Sequence, residues 1–288
     1  MTNPIDSILG SITSTNHNLP PFHDGPTLHI HQKCANCLIT QRTHGTRLFL
    51  CKSCGVDMYC SKECQVAHWP SHKQQCKYIK KERAIVAEKS KIPSAVADLQ
   101  AWMTYYDTPL RNCAIACMRL PDPDSTHMER KAMFYLQLYH KGDPSLPVWD
   151  RFRVLSVGRR DLDDLVPLST LRHSQGSYSK ACERGKIELG SRFYGVIQIG
   201  ISALFGPEHS PAVAERLKQF SIDKVTAHAK IVRQDWWILF REYVAVGAKT
   251  KFCCGKIPGM DDVCCCGGWV HDAEKRVSRC QLEVDVNQ

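Results

Sequence analysis

The stretch Cys34-Ala-Asn-Cys37, Cys51-Lys-Ser-Cys54, Cys60-Ser-Lys-Glu-Cys64 and His72-Lys-Gln-Gln-Cys76 sets eight metal-ligating side chains in four pairs. Two tetrahedral zinc ions require that number of ligands, and these spacings supply them. A Cys-x2-Cys pair forms a tight turn that aims both thiolates at one ion, about 2.3 Å away. The other two pairs have helical spacing. Ser61 caps a short helix from Lys62, Pro70 suits the start of a second, and residues four apart share a face, so His72 and Cys76 point at the same ion. Two closed four-ligand sites leave no coordination position for water, so the metal is expected to hold the fold rather than to do chemistry.

A segment this short rarely folds on a hydrophobic core alone. Structural zinc contributes roughly 10 to 16 kcal/mol in finger peptides, enough to decide between folded and unfolded. Spacing by itself leaves the pairing open, because sequential and interleaved arrangements use the same eight residues. His68 lies four residues from both Cys64 and His72 and is an alternative ligand. His72 is preferred for its i, i+4 relation to Cys76.

These pairs, together with Tyr59-Cys60-Ser61-Lys62-Glu63-Cys64-Gln65 and His68-Trp69-Pro70-Ser71-His72, resemble a MYND-type zinc finger. The resemblance implies interleaved pairing, with Cys34, Cys37, Cys60 and Cys64 on one zinc and Cys51, Cys54, His72 and Cys76 on the other. It also implies a protein-interaction module whose shallow groove takes short proline-containing peptides, lined here by Gln65 and Trp69. Trp69 read without the family is equally a core aromatic, and Gln65 a solvated helix position.

Sixteen cysteines, with neither a basic segment nor a long apolar run in Met1–Gly10, point to a reducing compartment and metal ligation. The expected setting is intracellular, nuclear or cytoplasmic, with no membrane span. The formal charge of +9 counts every thiol as neutral. Seven zinc-bound thiolates and two divalent ions bring it to about +6. That weak field and the absence of aromatic interleaving in the basic run disfavour nucleic acid as a partner. Lys80-Lys81-Glu82-Arg83 fits a nuclear-import pattern, but a solvated helix face explains it as well.

Residues 1–33, with little periodicity, read as a disordered leader, residues 34–76 as the finger and 77–94 as a helical linker broken by Ile92-Pro93. Residues 95–250 read as a helix-rich mixed α+β domain of unassigned role. Within it, Val96, Leu99, Trp102, Met103 and Tyr106 predict a helix. Cys113 and Cys117 sit on an apolar stripe as buried thiols, and Met128, Ala132, Tyr135, Leu136 and Tyr139 predict a further helix. Strands are expected at Phe152–Val154 and Ile197–Ala203, a loop over 173–186, a helix from Pro211 through Phe220, a strand over 225–231, and a last helix capped by Asp235.

The tail, 251–288, holds Cys253-Cys254, Cys264-Cys265-Cys266, His271 and Cys280. A third zinc there is conceivable, yet no clean Cys-x2-Cys pair exists, and a reduced tail is the default. The leading reading is therefore a zinc-dependent adaptor in transcriptional or other regulatory complexes. The competing reading is an enzyme, since some lysine methyltransferases carry a MYND finger within a SET domain. The Asn-His-Ser-Cys segment of those enzymes is missing, for the only Asn-His is Asn16-His17. The chain also lacks a phosphate-cradling Gly-rich loop, a G-x-S-x-G elbow and an H-E-x-x-H motif.

Overall fold

The computed structural model describes residues 19–24, 27–30, 32–40, 46–118, 132–161, 174–227 and 233–248, with the backbone alone at 174–177. The backbone of two short paired strands, Lys256–Ile257 and Met260–Cys264, is also described. The third-zinc candidates of the tail and residues 1–18 lie outside the described side chains.

The finger opens with two short strands, β1 (Phe49–Leu50) and β2 (Met58–Tyr59), paired antiparallel. Helix α1 (Lys62–Ser90) follows. The Ser61 hydroxyl accepts from the Cys64 N–H at 3.3 Å to start it, and Lys91 in the left-handed region ends it before Pro93. Pro70 does not open a second helix as expected but lies inside this one. An interior proline costs about 3 kcal/mol. Zinc ligands flank it on both sides, and their binding energy exceeds that cost severalfold.

The linker read for 77–94 is the second half of α1. It runs onto the body, where Val86 joins the main core and Glu82 meets Arg216 at 2.7 Å.

Helices α2 (Ala95–Tyr105) and α3 (Asp107–Met118) lie where the apolar periodicity placed a helix. From Thr108 on, α3 is buried along its whole length, and its buried polar side chains are paired, Arg111 with Asp107 and Asn112 with the Leu28 backbone. The body's sheet contains β3 (Ala132–His140), β4 (Phe152–Asp161), β5 (Phe193–Phe205) and β6 (Ala212–Asp223) in the order β4-β3-β5-β6. β3 runs antiparallel to β4 and parallel to β5, and β5 antiparallel to β6. Helix α4 (Ser174–Leu189) packs on β5 and β6, and α5 (Trp236–Ala245) on α3 and β4. The result is the expected α+β class, a small finger followed by a mixed helix and sheet domain.

Four local expectations change. Ala132–His140 is a strand, not a helix: Phe134, Leu136, Leu138 and His140 are buried at period 2, and pairing on both sides supplies the backbone bonds. Ala212–Asp223 is a strand rather than a helix, because β5 offers it a continuous register from Gly195 to Phe205, over which Ala212, Ala214, Phe220 and Ile222 turn inward. The loop expected over 173–186 is α4. It approaches the sheet through Gly185, where a Cβ would stand 2.4 Å from both the Phe193 ring and Ser221 Oγ. The strand expected from Val225 is a single helical turn, Lys224–Ala227, with 228–232 outside the described residues.

The leader is also corrected where it is described. Phe22 and Leu28 are buried, and the Phe22 ring stacks on Tyr243 at 5.0 Å. The Asn112 amide holds the Leu28 backbone at both ends: its Oδ1 accepts from Leu28 N–H at 2.8 Å, and its Nδ2 donates to Leu28 C=O at 3.0 Å. One buried side chain thus satisfies both backbone groups of Leu28.

Asp107 ties the two layers together, with Arg111 Nε at 2.9 Å and Lys218 of β6 in contact with the other carboxylate oxygen. Burial raises the Asp107 carboxyl, but Arg111 and Lys218 outweigh it and hold it at about 2. A carboxyl whose folded value is depressed adds stability above its unfolded value, near 4, and loses it as pH falls through the folded value. The destabilisation caused by Asp107→Asn, roughly 2 kcal/mol and fully present at about pH 6, is therefore expected to shrink between about pH 4 and 2. Urea denaturation of both proteins across that range measures it. A difference independent of pH would remove the ion pair from the account.

Candidate metal centre

Each Cys-x2-Cys pair sits in a tight knuckle. In the first, the Leu38 N–H donates to Cys34 C=O at 3.0 Å, and Leu38 takes a left-handed φ of 63°. In the second, the Gly55 N–H donates to Cys51 C=O at 2.8 Å, with φ of 70°. The turn after the second cysteine demands that conformation; glycine adopts it freely, whereas leucine is held there at a cost. β2 fastens the knuckles together, for the Ala35 N–H donates to Met58 C=O and the Cys51 N–H to Asp57 C=O, both at 2.8 Å. α1 then delivers Cys64, His72 and Cys76.

The ligand atoms converge in two groups, Cys34, Cys37, Cys60 and Cys64 in one and Cys51, Cys54, His72 and Cys76 in the other, each lying within 4.8 Å of one another. A zinc tetrahedron with bonds near 2.3 Å to sulfur and 2.0 Å to nitrogen separates two sulfurs by about 3.8 Å, and a sulfur and a nitrogen by about 3.5 Å. Cys37–Cys60 and Cys60–Cys64 stand at 3.5 Å, Cys51–Cys76 at 3.9 Å, and Cys54 Sγ to His72 Nε2 at 3.6 Å. The donor sets, four sulfurs in one group and three sulfurs with one imidazole in the other, fit two zinc ions in closed structural sites. The interleaved arrangement is the one the chain adopts.

Electrostatics prepares the thiolates. Burial raises Cys34 and Cys51, yet backbone amides pointing at each sulfur prevail and hold both thiols at about 6. In the first cluster the neighbouring thiols of Cys64 and Cys37 push Cys60 up to about 12. Each cluster therefore has a sulfur poised to deprotonate, and metal must displace the protons that remain.

His68 is not a ligand of either cluster; its Nδ1 meets the Tyr59 hydroxyl at 3.1 Å. His72 binds through Nε2, and its Nδ1 stands 2.7 Å from Asp57 Oδ2. A carboxylate behind a ligating imidazole fixes its tautomer and orientation. Asp57 escaped the sequence reading because no ligand spacing marks it; only the hairpin turn brings it behind His72. Asp57→Ala is expected to weaken zinc at the histidine-containing cluster by about 10- to 100-fold while leaving the all-cysteine cluster loaded. Competition with a chromogenic chelator reads this directly, and two equally held ions in the variant would exclude the role.

Two further side chains reach the sulfurs. Asn36 Nδ2 donates to Cys64 Sγ at 3.6 Å, and Gln65 Nε2 to Cys51 Sγ at 3.7 Å, across to the other cluster. Gln65 is thus partly drawn into the metal centre. Trp69 is not a core aromatic. It is 40% exposed and meets His72 edge-on at 6.0 Å.

A metal centre of this geometry defines a small two-zinc assembly of knuckles and helix in which the metal is structural. Comparison with known proteins identifies it: residues 34–76 match the model of the MYND finger, a protein-interaction module. The histone-lysine N-methyltransferase SMYD3 of Homo sapiens is 40% identical over 47 residues, which is 16% of this chain and 10% of that relative. The chain therefore spans only about a tenth of that relative's length, all of it in the finger region. No solved structure matches the chain. No helix among the described residues is long and apolar enough to cross a membrane.

Proposed function

We propose that the protein is an intracellular adaptor, nuclear or cytoplasmic, whose finger captures short proline-containing peptides of regulatory proteins while the α+β body carries the finger on a stiff helix. The observation that carries this reading is Trp69. A large aromatic stands 40% exposed on α1, one turn from Val66 at 63%, above a rigid zinc cluster. Tryptophan is among the side chains enriched as anchors of protein interfaces, and the planar ring suits a proline face. Gln65, one turn before Trp69, keeps its amide close to the same surface while bonding Cys51.

Trp69→Ala is expected to weaken binding of a proline-containing peptide by more than about tenfold, since anchor tryptophans account for about 2 kcal/mol or more. Two zinc per chain should remain. Fluorescence anisotropy with the full chain, paired with metal analysis, tests it. Unchanged affinity at full zinc content would overturn the groove.

A further inference from the structure

The surface of α1 does not end at Trp69. At about 100° per residue, Val66, Trp69, Lys73, Lys77, Lys80 and Lys81 fall within one arc of about 120°, offset from the side that buries His72, Ile79 and Val86. All six are exposed. In sequence the basic run is interrupted by Glu82, but the fold removes that carboxylate, turning it inward to Arg216 at 2.7 Å. Arg83 is likewise drawn aside to Ser53 C=O at 3.4 Å. Between Glu63 and Glu88 the exposed face of the helix therefore carries positive charge only. None of the four lysines is in an ion pair among the described residues.

We infer that the finger's partner is a peptide with an acidic flank: its apolar, proline-containing core sits at Val66 and Trp69, and its Asp or Glu residues lie along Lys73, Lys77, Lys80 and Lys81. This rests on the groove reading above and specifies its ligand. The dimensions agree. Trp69 to Lys81 spans about 18 Å of helix, which an extended peptide covers in about five or six residues. The acidic residues must then fall within about six positions of the core. A nucleic acid fits less well, because the stripe begins on two apolar side chains that a phosphate backbone cannot cover, and lysines offer no bidentate grip.

Three labelled peptides sharing one proline-containing core test this with the full zinc-loaded chain: one followed by four glutamates, one preceded by them, and one flanked by glutamines. At about 50 mM salt one acidic peptide is expected to bind about tenfold tighter than the glutamine peptide, and the gap to narrow at about 500 mM, where charges are screened. In K77E/K81E, verified by its zinc content, the gap closes. Equal affinities in the wild type, a gap that survives K77E/K81E, or efficient displacement of the acidic peptide by duplex DNA would each overturn the inference. If the glutamine peptide binds and Trp69→Ala abolishes that binding, the groove reading stands whatever the flank does. If no peptide binds, the groove reading fails and takes the inference with it.

Discussion

Cys60→Ser is expected to halve the zinc content, from two ions per chain to one, and to open residues 34–76 to proteolysis while the body stays folded. Cys60 is shared between contacts at 3.5 Å to Cys37 and to Cys64, so its loss leaves three ligands that cannot close the tetrahedron. The finger's own apolar core is small: Tyr59 and Ile79 pack among the ligands Cys34, Cys51, Cys54 and Cys76. Such a cluster cannot replace the roughly 10 to 16 kcal/mol that a structural zinc contributes. Complete chelation should go further and unfold both knuckles. The second half of α1 should survive, since Val86 is held in the body's core and not by metal. Metal analysis with limited proteolysis tests both statements. Two retained ions and an unchanged digestion pattern in Cys60→Ser would contradict the ligand set.

Arg216→Ala should destabilise the junction between finger and body by about 3 kcal/mol, the scale for stranding one member of a buried ion pair. Glu82 and Arg216 have side chains only 10% and 12% exposed, and Arg216 reaches across from β6 to α1. The lone Glu82 carboxylate would then be buried without a counterion. Replacing both residues, as in Glu82→Leu with Arg216→Met, should recover most of the loss, because the penalty belongs to the unpaired charge rather than to the missing bridge. A double-mutant cycle by urea denaturation decides this. A single variant as stable as the wild type would show that the helix is held by Val86 and its neighbours alone. The same ion pair that docks the finger also turns the one acidic side chain of this stretch away from solvent.

The metal centre was almost wholly legible because its information is local. Ligand type and spacing are dictated by coordination chemistry over a few residues, and Ser61 announced its helix in the same way. What the spacing left open was settled in space: β2 fastens the two knuckles, and α1 passes both, giving Cys64 to one ion and His72 with Cys76 to the other. Pro70 misled because local propensity costs a few kcal/mol, whereas two flanking metal sites supply far more.

The body was legible only in part. Val96, Leu99 and Trp102 or Ile197, Ile199 and Ile201 each carry one unambiguous period. Ala132–His140 and Ala212–Asp223 carry two, and both accommodate a helical stripe as readily as a strand.

The sequence by itself therefore determined that two zinc ions would be caged by Cys34, Cys37, Cys51, Cys54, Cys60, Cys64, His72 and Cys76, since tetrahedral coordination admits few alternatives. Only the tertiary structure decided the identity of the two strands flanking β5, the burial of Phe22 and Leu28 against Tyr243 and Asn112, and the inward turn of Glu82. The pairing of β3 with β5, the burial of Phe22 and Leu28 and the turn of Glu82 each depend on a partner tens of residues away in the chain, and β6 depends on its hairpin with β5, none of which a local period encodes.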